Sequence, residues 1–209
     1  MTELALVLYV AYLVLAFGLR SVLQRRRTGS SGFRGVSGRP GSAEWLGGVL
    51  FVVAVVAGLA ATLLALLDVV PTIARFQSTA AGVVGAALVC AGIVLSLVAQ
   101  HAMGASWRIG VDESERTALV TTGIFALVRN PFFSATALVA IGLVLMVPSV
   151  LAGAALIALL FAVELQVRVV EEPYLLRAQG GSYREYAFRT GRFVPGLGRI
   201  ARTRASLSE

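Results

Sequence analysis

The sequence predicts an all-α integral membrane protein with about five transmembrane helices. Of its 209 residues, 57% are hydrophobic and only 14% are charged, whereas soluble domains contain roughly 25% charged residues. Several apolar runs approach or exceed the ~20 residues that a helix needs to cross a ~30 Å hydrocarbon core. These observations exclude an ordinary soluble domain.

The first half of the chain contains three apolar runs of helical length, at 4–19, 45–67 and 79–99. Arg20 can extend the short first run if its charged end reaches up to the interface. The segment 24–44 is rich in glycine, serine and arginine and is predicted to be a loop. The segment 68–77 contains Pro71 and is predicted to be a short turn.

The apolar region 132–163 is too long for one helix, because its 32 residues would reach about 48 Å at a rise of 1.5 Å each. Pro148 lies at its middle, next to Ser149. A helical hairpin with arms at about 132–147 and 149–170 satisfies both the length and the proline. One long kinked helix is the alternative.

The arginines predict the orientation in the membrane. All eighteen basic residues are arginines, and of those near the spans only Arg75 falls on the opposite side from the rest. The positive-inside rule then places the N-terminus outside and the C-terminus in the cytoplasm, across what the composition suggests is a bacterial plasma membrane. The arginines flank apolar runs, which indicates topology and anionic lipid, and no nucleic-acid partner is expected.

The N-terminus lacks the basic region of a signal peptide and is interpreted as a retained first helix. A single cysteine, Cys90, excludes an intrachain disulfide, and with a single histidine no structural Cys/His zinc site is available. His101 is either a general base for a hydroxyl or amine acceptor or simply the cap of a helix C-terminus.

Two polar clusters flank the predicted hairpin. Arg129, Asn130 and Pro131 precede its first arm, where proline suits the first helical turn and asparagine can cap it. Glu171 and Glu172 follow its second arm, and carboxylates near lipid are costly without a role. Because the arms are antiparallel, we expect the clusters to meet at the cytoplasmic mouth of the hairpin. The alternative for the first cluster is a capped helix start and nothing more.

Polar and aromatic residues surround these clusters. Glu164 and Arg168 have the spacing of an ion pair, and together with the two later glutamates they are predicted to share one helix face. Thr117 to Val120 is predicted to be extended, and Gly123 to form a turn. An aromatic segment near the C-terminus either rests on the membrane or roofs a pocket: Tyr183, Tyr186, Phe188, Phe193 and Pro195.

Five motifs occur in order over about residues 100–196: Leu119-Val-x-x-Gly123-x-Phe125, Arg129-Asn-Pro-x-Phe133, Glu171-Glu-x-x-Leu175, Gly181-x-Tyr183-x-x-Tyr186 and Arg192-x-x-Pro195. As an ordered set they resemble the isoprenylcysteine carboxyl methyltransferase family, which shares its cofactor region with the phospholipid methyltransferases. The resemblance implies an S-adenosylmethionine-dependent methyltransferase that acts on a lipophilic acceptor arriving from the membrane.

The resemblance also implies roles for individual residues. Arg168 or Arg129 would hold an anionic acceptor. The cofactor would be bound by Thr117, Ala118, Leu119, Val120, Phe125, Asn130, Pro131, Phe132, Phe133, Glu171 and Glu172. The commonest form of the family has histidine in place of Asn130 and tyrosine in place of Phe125 and Phe133, which leaves the acceptor open.

Two alternatives follow from the same residues. A phospholipid-type N-methyltransferase would use the same cofactor region with an amine acceptor. A non-enzymatic transporter or scaffold is the other alternative. The sequence shows no repeated halves and its charges lie at the ends of the spans, and both observations argue against a transporter. The expected organisation is an N-terminal membrane part (1–77), a methyltransferase core (78–196) and a basic tail expected to be disordered (197–209).

Overall fold

The computed structural model describes residues 1–29, 36–104 and 119–201. Within these ranges the protein is all-helical, and its β-structure is limited to an isolated bridge between Val128 and Gly191. Four helical stretches of the described chain are long and apolar enough to cross a membrane, and Pro131–Met146 is a shorter apolar helix. The predicted fold class is therefore confirmed.

The described chain forms seven α-helices: α1 (Thr2–Leu13), α2 (Arg20–Thr28), α3 (Ala43–Leu66), α4 (Thr79–Met103), α5 (Pro131–Met146), α6 (Val150–Leu165) and α7 (Glu172–Arg189). A π-helical segment, Val14–Leu19, joins α1 to α2, and a second, Gln166–Glu171, joins α6 to α7. The joined stretch Val150–Arg189 has 40 residues, about twice what a bilayer requires, so its second half extends beyond the membrane.

Serine caps fix the start of three of these helices. In each case the hydroxyl oxygen accepts a hydrogen bond from a backbone N–H three residues later: Ser42 from Trp45, Ser78 from Ala81 and Ser149 from Ala152. With Pro148 between α5 and α6, the last cap completes a tight hairpin. The predicted hairpin is confirmed, and the alternative of one kinked helix is wrong.

Helix α4 packs along α5 through small residues. A Cβ added to Gly85 would lie 2.6 Å from the carbonyl oxygen of Gly142, and one added to Gly142 would lie 2.5 Å from the carbonyl oxygen of Gly85. Such close approach is a common means of joining helices in lipid, where burial of apolar surface gives little drive for association. The α4–α5 contact thereby fixes where the first arm of the hairpin stands.

Polar side chains tie α1 to the remaining helices. The hydroxyl groups of Tyr12 and Thr136 share a hydrogen bond of 2.8 Å, and the Tyr9 hydroxyl donates to the carbonyl oxygen of Val55 at 2.9 Å. Both tyrosines are buried. These polar groups are therefore paired within the bundle, as a water-free environment requires.

Arg20 shows that the end of the first helical stretch lies beside the end of α4. Its guanidinium donates to the carbonyl oxygens of Gln100 at 3.2 Å and Gly104 at 2.7 Å, and the residue is only 7% exposed. The first candidate span runs from Thr2 to Arg26 and so extends past Arg20 as expected, while carbonyl groups at the α4 C-terminus bind the guanidinium. That its charged end reaches the interface stays a prediction. The helix also continues to Thr28, beyond the predicted start of the loop.

The starts of α3, α5 and α7 lie at this same end of the bundle. A Cβ added to Gly47 would lie 3.0 Å from the side-chain oxygen of Gln166, which brings the start of α3 against the end of α6. At the other end, the N–H of Ile73 donates to the carbonyl oxygen of Pro148 at 2.7 Å. Arg75 lies at that other end, in the short turn Ala74–Phe76. Which end faces the cytoplasm stays a prediction.

Candidate active site

The two polar clusters of the hairpin meet through an ion pair between Arg129 and Glu172. The Arg129 Nη2 donates to Glu172 Oε1 at 2.5 Å, and the two side chains are 1% and 9% exposed. Arg129 stands just before α5, and Glu172 is the first residue of α7. The predicted meeting of the clusters at the mouth of the hairpin is confirmed.

A second arginine binds the same carboxylate. Arg192 Nε donates to Glu172 Oε1, and its Nη2 donates to Oε2, both at 2.8 Å. This hydrogen bonding to the carboxylate raises the pKa of Arg192 above its ordinary value. Both Glu172 oxygens are thus engaged, and the group of Arg129, Glu172 and Arg192, here called the carboxylate triad, carries one excess positive charge.

The rest of the Arg129 guanidinium binds backbone carbonyl groups around the end of α7. Its Nη1 donates to Ala187 at 3.1 Å and to Thr190 at 2.5 Å, and its Nη2 donates to Gly198 at 3.1 Å. Cations suit a helix C-terminus because the last carbonyls lack intrahelical partners. The Nη groups of Arg129 are thus occupied by protein and tie the start of α5 to the C-terminal segment, and its contact with an anionic acceptor stays a prediction.

The C-terminal segment 190–198 lies against the start of α5. The N–H of Arg129 donates to the Gly191 carbonyl at 2.8 Å, and the Ser134 hydroxyl donates to the Phe193 carbonyl at 2.6 Å. Gly191 stands in a tight turn, where an added Cβ would lie 2.8 Å from the backbone nitrogen of Gly196. Only glycine fits this turn without moving the backbone.

Asn130 occupies the N-cap position of α5, as predicted, but its side chain makes no capping hydrogen bond. Its amide nitrogen donates instead to the carbonyl oxygen of Arg192 at 3.3 Å, and its backbone N–H donates to the same oxygen at 3.1 Å. The prediction of a side-chain cap is wrong, because the C-terminal segment offers an acceptor that the sequence pattern did not show. Asn130 joins the hairpin to that segment.

The segment before α5 lies against α7. Gly123 has a φ of +61° and begins the turn Gly123–Ala126, which confirms the predicted turn. The Tyr186 hydroxyl donates to the Phe125 carbonyl oxygen at 2.6 Å. Leu119 packs against a small cluster of buried residues formed by Tyr183, Tyr186 and Ala187. Of the predicted cofactor residues, Thr117 and Ala118 lie outside the described residues.

Tyr183 and Tyr186 are both buried and pack edge to face, with ring centroids 6.1 Å apart. These two aromatic residues therefore face the protein and cover the segment before α5. This arrangement disagrees, for these two residues, with a helix resting on the membrane, and the roof over a pocket stays a prediction.

Phe132 and Phe133 are buried in the helix bundle. The Phe132 ring lies 5.9 Å from that of Phe17, and the Phe133 ring lies 6.1 Å from that of Phe51, measured between centroids. Pro131, the preceding residue, is also buried. The described structure gives both phenylalanines a packing role, and their contact with a cofactor stays a prediction.

The predicted common face of the four charged residues from Glu164 to Glu172 is wrong. Glu164 and Arg168 form the expected exposed ion pair, and the Arg168 side chain is 58% exposed. Glu172 is instead buried in the carboxylate triad. The physical reason is the π-helical segment Gln166–Glu171, whose wider turn rotates α7 relative to α6. Arg168 is thus on the outside, beside a carboxylate of its own.

Two contacts of the site were not predicted from the sequence: the ion pair of Arg192 with Glu172, and the hydrogen bond of Ser134 to the C-terminal segment. Arg192 belongs to the last sequence motif, but its contact with Glu172 depends on the turn of the C-terminal segment, which the sequence pattern does not show. His101, a possible base, is exposed in the last turn of α4.

These features define a class of protein: an all-helical membrane protein with a buried charged site where a helical hairpin meets its C-terminal segment. The model of the phospholipid methyltransferase family matches residues 80–180, from α4 to the middle of α7. Over this region the chain is similar to that family of integral membrane methyltransferases, and the resemblance deduced from the motifs is confirmed at this level. A comparison with curated proteins found no match.

Proposed function

We propose that the protein transfers a methyl group from S-adenosylmethionine to a lipophilic acceptor at the mouth of the hairpin. The match of residues 80–180 to a methyltransferase family supports the reaction class and argues against a transporter or scaffold. The observation that carries the proposal is the carboxylate triad, which draws the motif segments around Arg129, Glu172 and Arg192 into one place.

The residues present fit such a cofactor. Both oxygens of Glu172 are engaged by arginines. Its half-buried neighbour Glu171, the first residue of the Glu171-Glu-x-x-Leu175 motif, is the carboxylate proposed to contact the ribose diol or the ammonium group. Asn130 is half-buried and offers an amide. The segment from Leu119 to Phe125 is irregular and provides backbone groups. When bound, the cofactor supplies an electrophilic methyl group on a sulfonium.

The protein's own task in methyl transfer is alignment and exclusion of water. The carboxylate triad and the Tyr186–Phe125 hydrogen bond hold together the segments that we propose as the walls of the site. A carboxylate acceptor is ionised at neutral pH and needs no general base. Arg168 is the residue proposed to hold an anionic acceptor, since its present partner, Glu164, is exposed and exchangeable.

A second candidate for the acceptor is an amine-bearing phospholipid. The description of the matching family favours this alternative, whereas the motifs resemble those of carboxyl methyltransferases. The two candidates differ in the bond formed, which is an ester in one case and a methylated amine in the other.

Methyl transfer from labelled donor to a membrane lipid extract tests the proposal. Purified protein in detergent is incubated with the extract, and the labelled lipid is identified by mass spectrometry. A labelled carboxyl ester supports a carboxylate acceptor, and a labelled amine supports an amine-bearing phospholipid. Label in neither, with a donor that binds the protein, contradicts a lipophilic acceptor.

A further inference from the structure

A pocket of about 480 Å³ lies at the same end of the bundle as the carboxylate triad. One wall is the segment just before and at the start of α3, and the other is formed by the π-helical segment and α7. The residues that line the pocket include Arg39, Glu44, Val169, Val170, Tyr174 and Arg177.

This pocket lies on a different side of α7 from the carboxylate triad. Tyr174 and Arg177 follow Glu172 by two and five positions, which at 3.6 residues per turn puts them about 200° and 140° around the helix from it. Glu172 points towards Arg129. The pocket is therefore separate from the triad, and its α3 wall precedes the family-matched residues 80–180.

Two arginines from distant parts of the chain face this pocket. Arg39 and Arg177 are both exposed. Within the described part of the chain, neither guanidinium has a hydrogen bond or an ion pair. Guanidinium groups match the oxygens of phosphate in geometry and charge, so the pair provides two donors for one anion.

The other residues of the pocket restrict the anion. Glu44 contributes a carboxylate, one oxygen of which accepts a hydrogen bond from the Ser37 hydroxyl at 2.6 Å. With the two arginines it leaves one excess positive charge, which matches a monoanionic phosphodiester better than a dianion. Val169 and Val170 add an apolar side next to the donors.

The position of the pocket relative to the membrane indicates where the phosphodiester comes from. The apolar helix α3 begins at Ala43, and Trp45 stands in its first turn. Tryptophan is enriched at the level of lipid headgroups. The two arginines therefore lie at the depth of the phosphates of the bilayer, and basic groups near that surface attract anionic lipid.

We propose that this pocket binds the phosphodiester of an anionic phospholipid headgroup, with Arg39 and Arg177 as the donors and the acyl chains running past Val169 and Val170. This lipid site does not depend on methyl transfer, and its occupant is not the methyl acceptor. Bound lipid would hold the segment before α3 against α7.

The test is the unfolding temperature of the full chain, purified in an uncharged detergent. Short-chain phosphatidylglycerol, inorganic phosphate and short-chain diacylglycerol are added in turn. We expect phosphatidylglycerol to raise the unfolding temperature, diacylglycerol to have no effect, and inorganic phosphate to act only at much higher concentration.

The double variant Arg39→Gln/Arg177→Gln should need ~10-fold or more phosphatidylglycerol for the same rise, because two charge-assisted hydrogen bonds are lost. The variant Arg184→Gln/Arg199→Gln removes two other exposed arginines and should respond as the wild type does. Glu44→Gln removes a repulsive charge and should need less lipid than the wild type.

Equal responses of the wild type and the Arg39→Gln/Arg177→Gln variant would overturn the proposal, as would an equal loss in the Arg184→Gln/Arg199→Gln variant. No rise of the wild type with phosphatidylglycerol would also overturn it. Inorganic phosphate acting at the same concentration as phosphatidylglycerol would reassign the pocket to a free anion and contradict the lipid.

Discussion

Arg129 and Glu172 stand 43 positions apart in the sequence, yet the guanidinium of one donates to the carboxylate of the other at 2.5 Å in a buried setting. Arg192 completes the carboxylate triad from the C-terminal segment. Three separate pieces of chain, the start of α5, the start of α7 and the segment 190–198, are thereby joined at one point.

Breaking this pair should destabilise the protein strongly. Glu172→Gln leaves two buried or half-buried guanidinium groups without their carboxylate, and removal of one partner of a buried ion pair typically costs 3–5 kcal/mol, so we expect a loss of about that size. Unfolding by heat or denaturant in detergent measures it. Glu164→Gln, in the exposed pair with Arg168, is the matched control and should cost ~0–1 kcal/mol. Similar losses for both variants would contradict a structural role for the triad.

The close approach of α4 and α5 gives a second prediction. In Gly142→Ala the new methyl group would lie 2.5 Å from the carbonyl oxygen of Gly85, so the helices must separate. Overpacking of this kind costs about 1–3 kcal/mol. In Gly153→Ala, on α6, the methyl group meets no atom within 4 Å, and stability should be unchanged or slightly higher. The unfolding temperatures of the two variants decide the point, and a stable Gly142→Ala protein would refute the proposed packing.

Tyr186 should matter for donor binding as well as for stability. Tyr186→Phe removes the hydrogen bond to the Phe125 carbonyl and should cost about 1 kcal/mol of stability. Because this bond holds the segment before α5, affinity for S-adenosylmethionine should fall as well. Tyr9→Phe loses a similar bond, to Val55 within the bundle, and should lose stability alone. Calorimetric titration with the donor distinguishes the Tyr186→Phe and Tyr9→Phe variants. Equal donor affinities of these two variants would count against the proposed position of the segment before α5.

The hairpin and the meeting of the polar clusters could be predicted from the sequence because both follow from length and chain direction. A run of 32 apolar residues around Pro148 must fold back, and folding back brings its two ends together. The turn at Gly123 could likewise be predicted, because it depends on the local sequence alone.

The contacts that the sequence did not predict depend on helix rotation and on distant backbone groups. The π-helical segment Gln166–Glu171 has no simple composition signal, yet it decides that Glu172 is buried while Arg168 is exposed. Arg20 finds its partners in carbonyl groups at the end of another helix. The Asn130 side chain likewise binds a distant backbone group, the Arg192 carbonyl, and makes no capping hydrogen bond to α5.

The proposal that Glu171 contacts the methyl donor is tested most directly by calorimetric titration of purified protein with S-adenosylmethionine. We expect the wild type to bind, Glu171→Gln to bind at least ~10-fold more weakly because a charge-assisted hydrogen bond is lost, and Glu164→Gln to bind as the wild type does. Unchanged affinity in Glu171→Gln, or a wild type that does not bind the donor, would contradict the account.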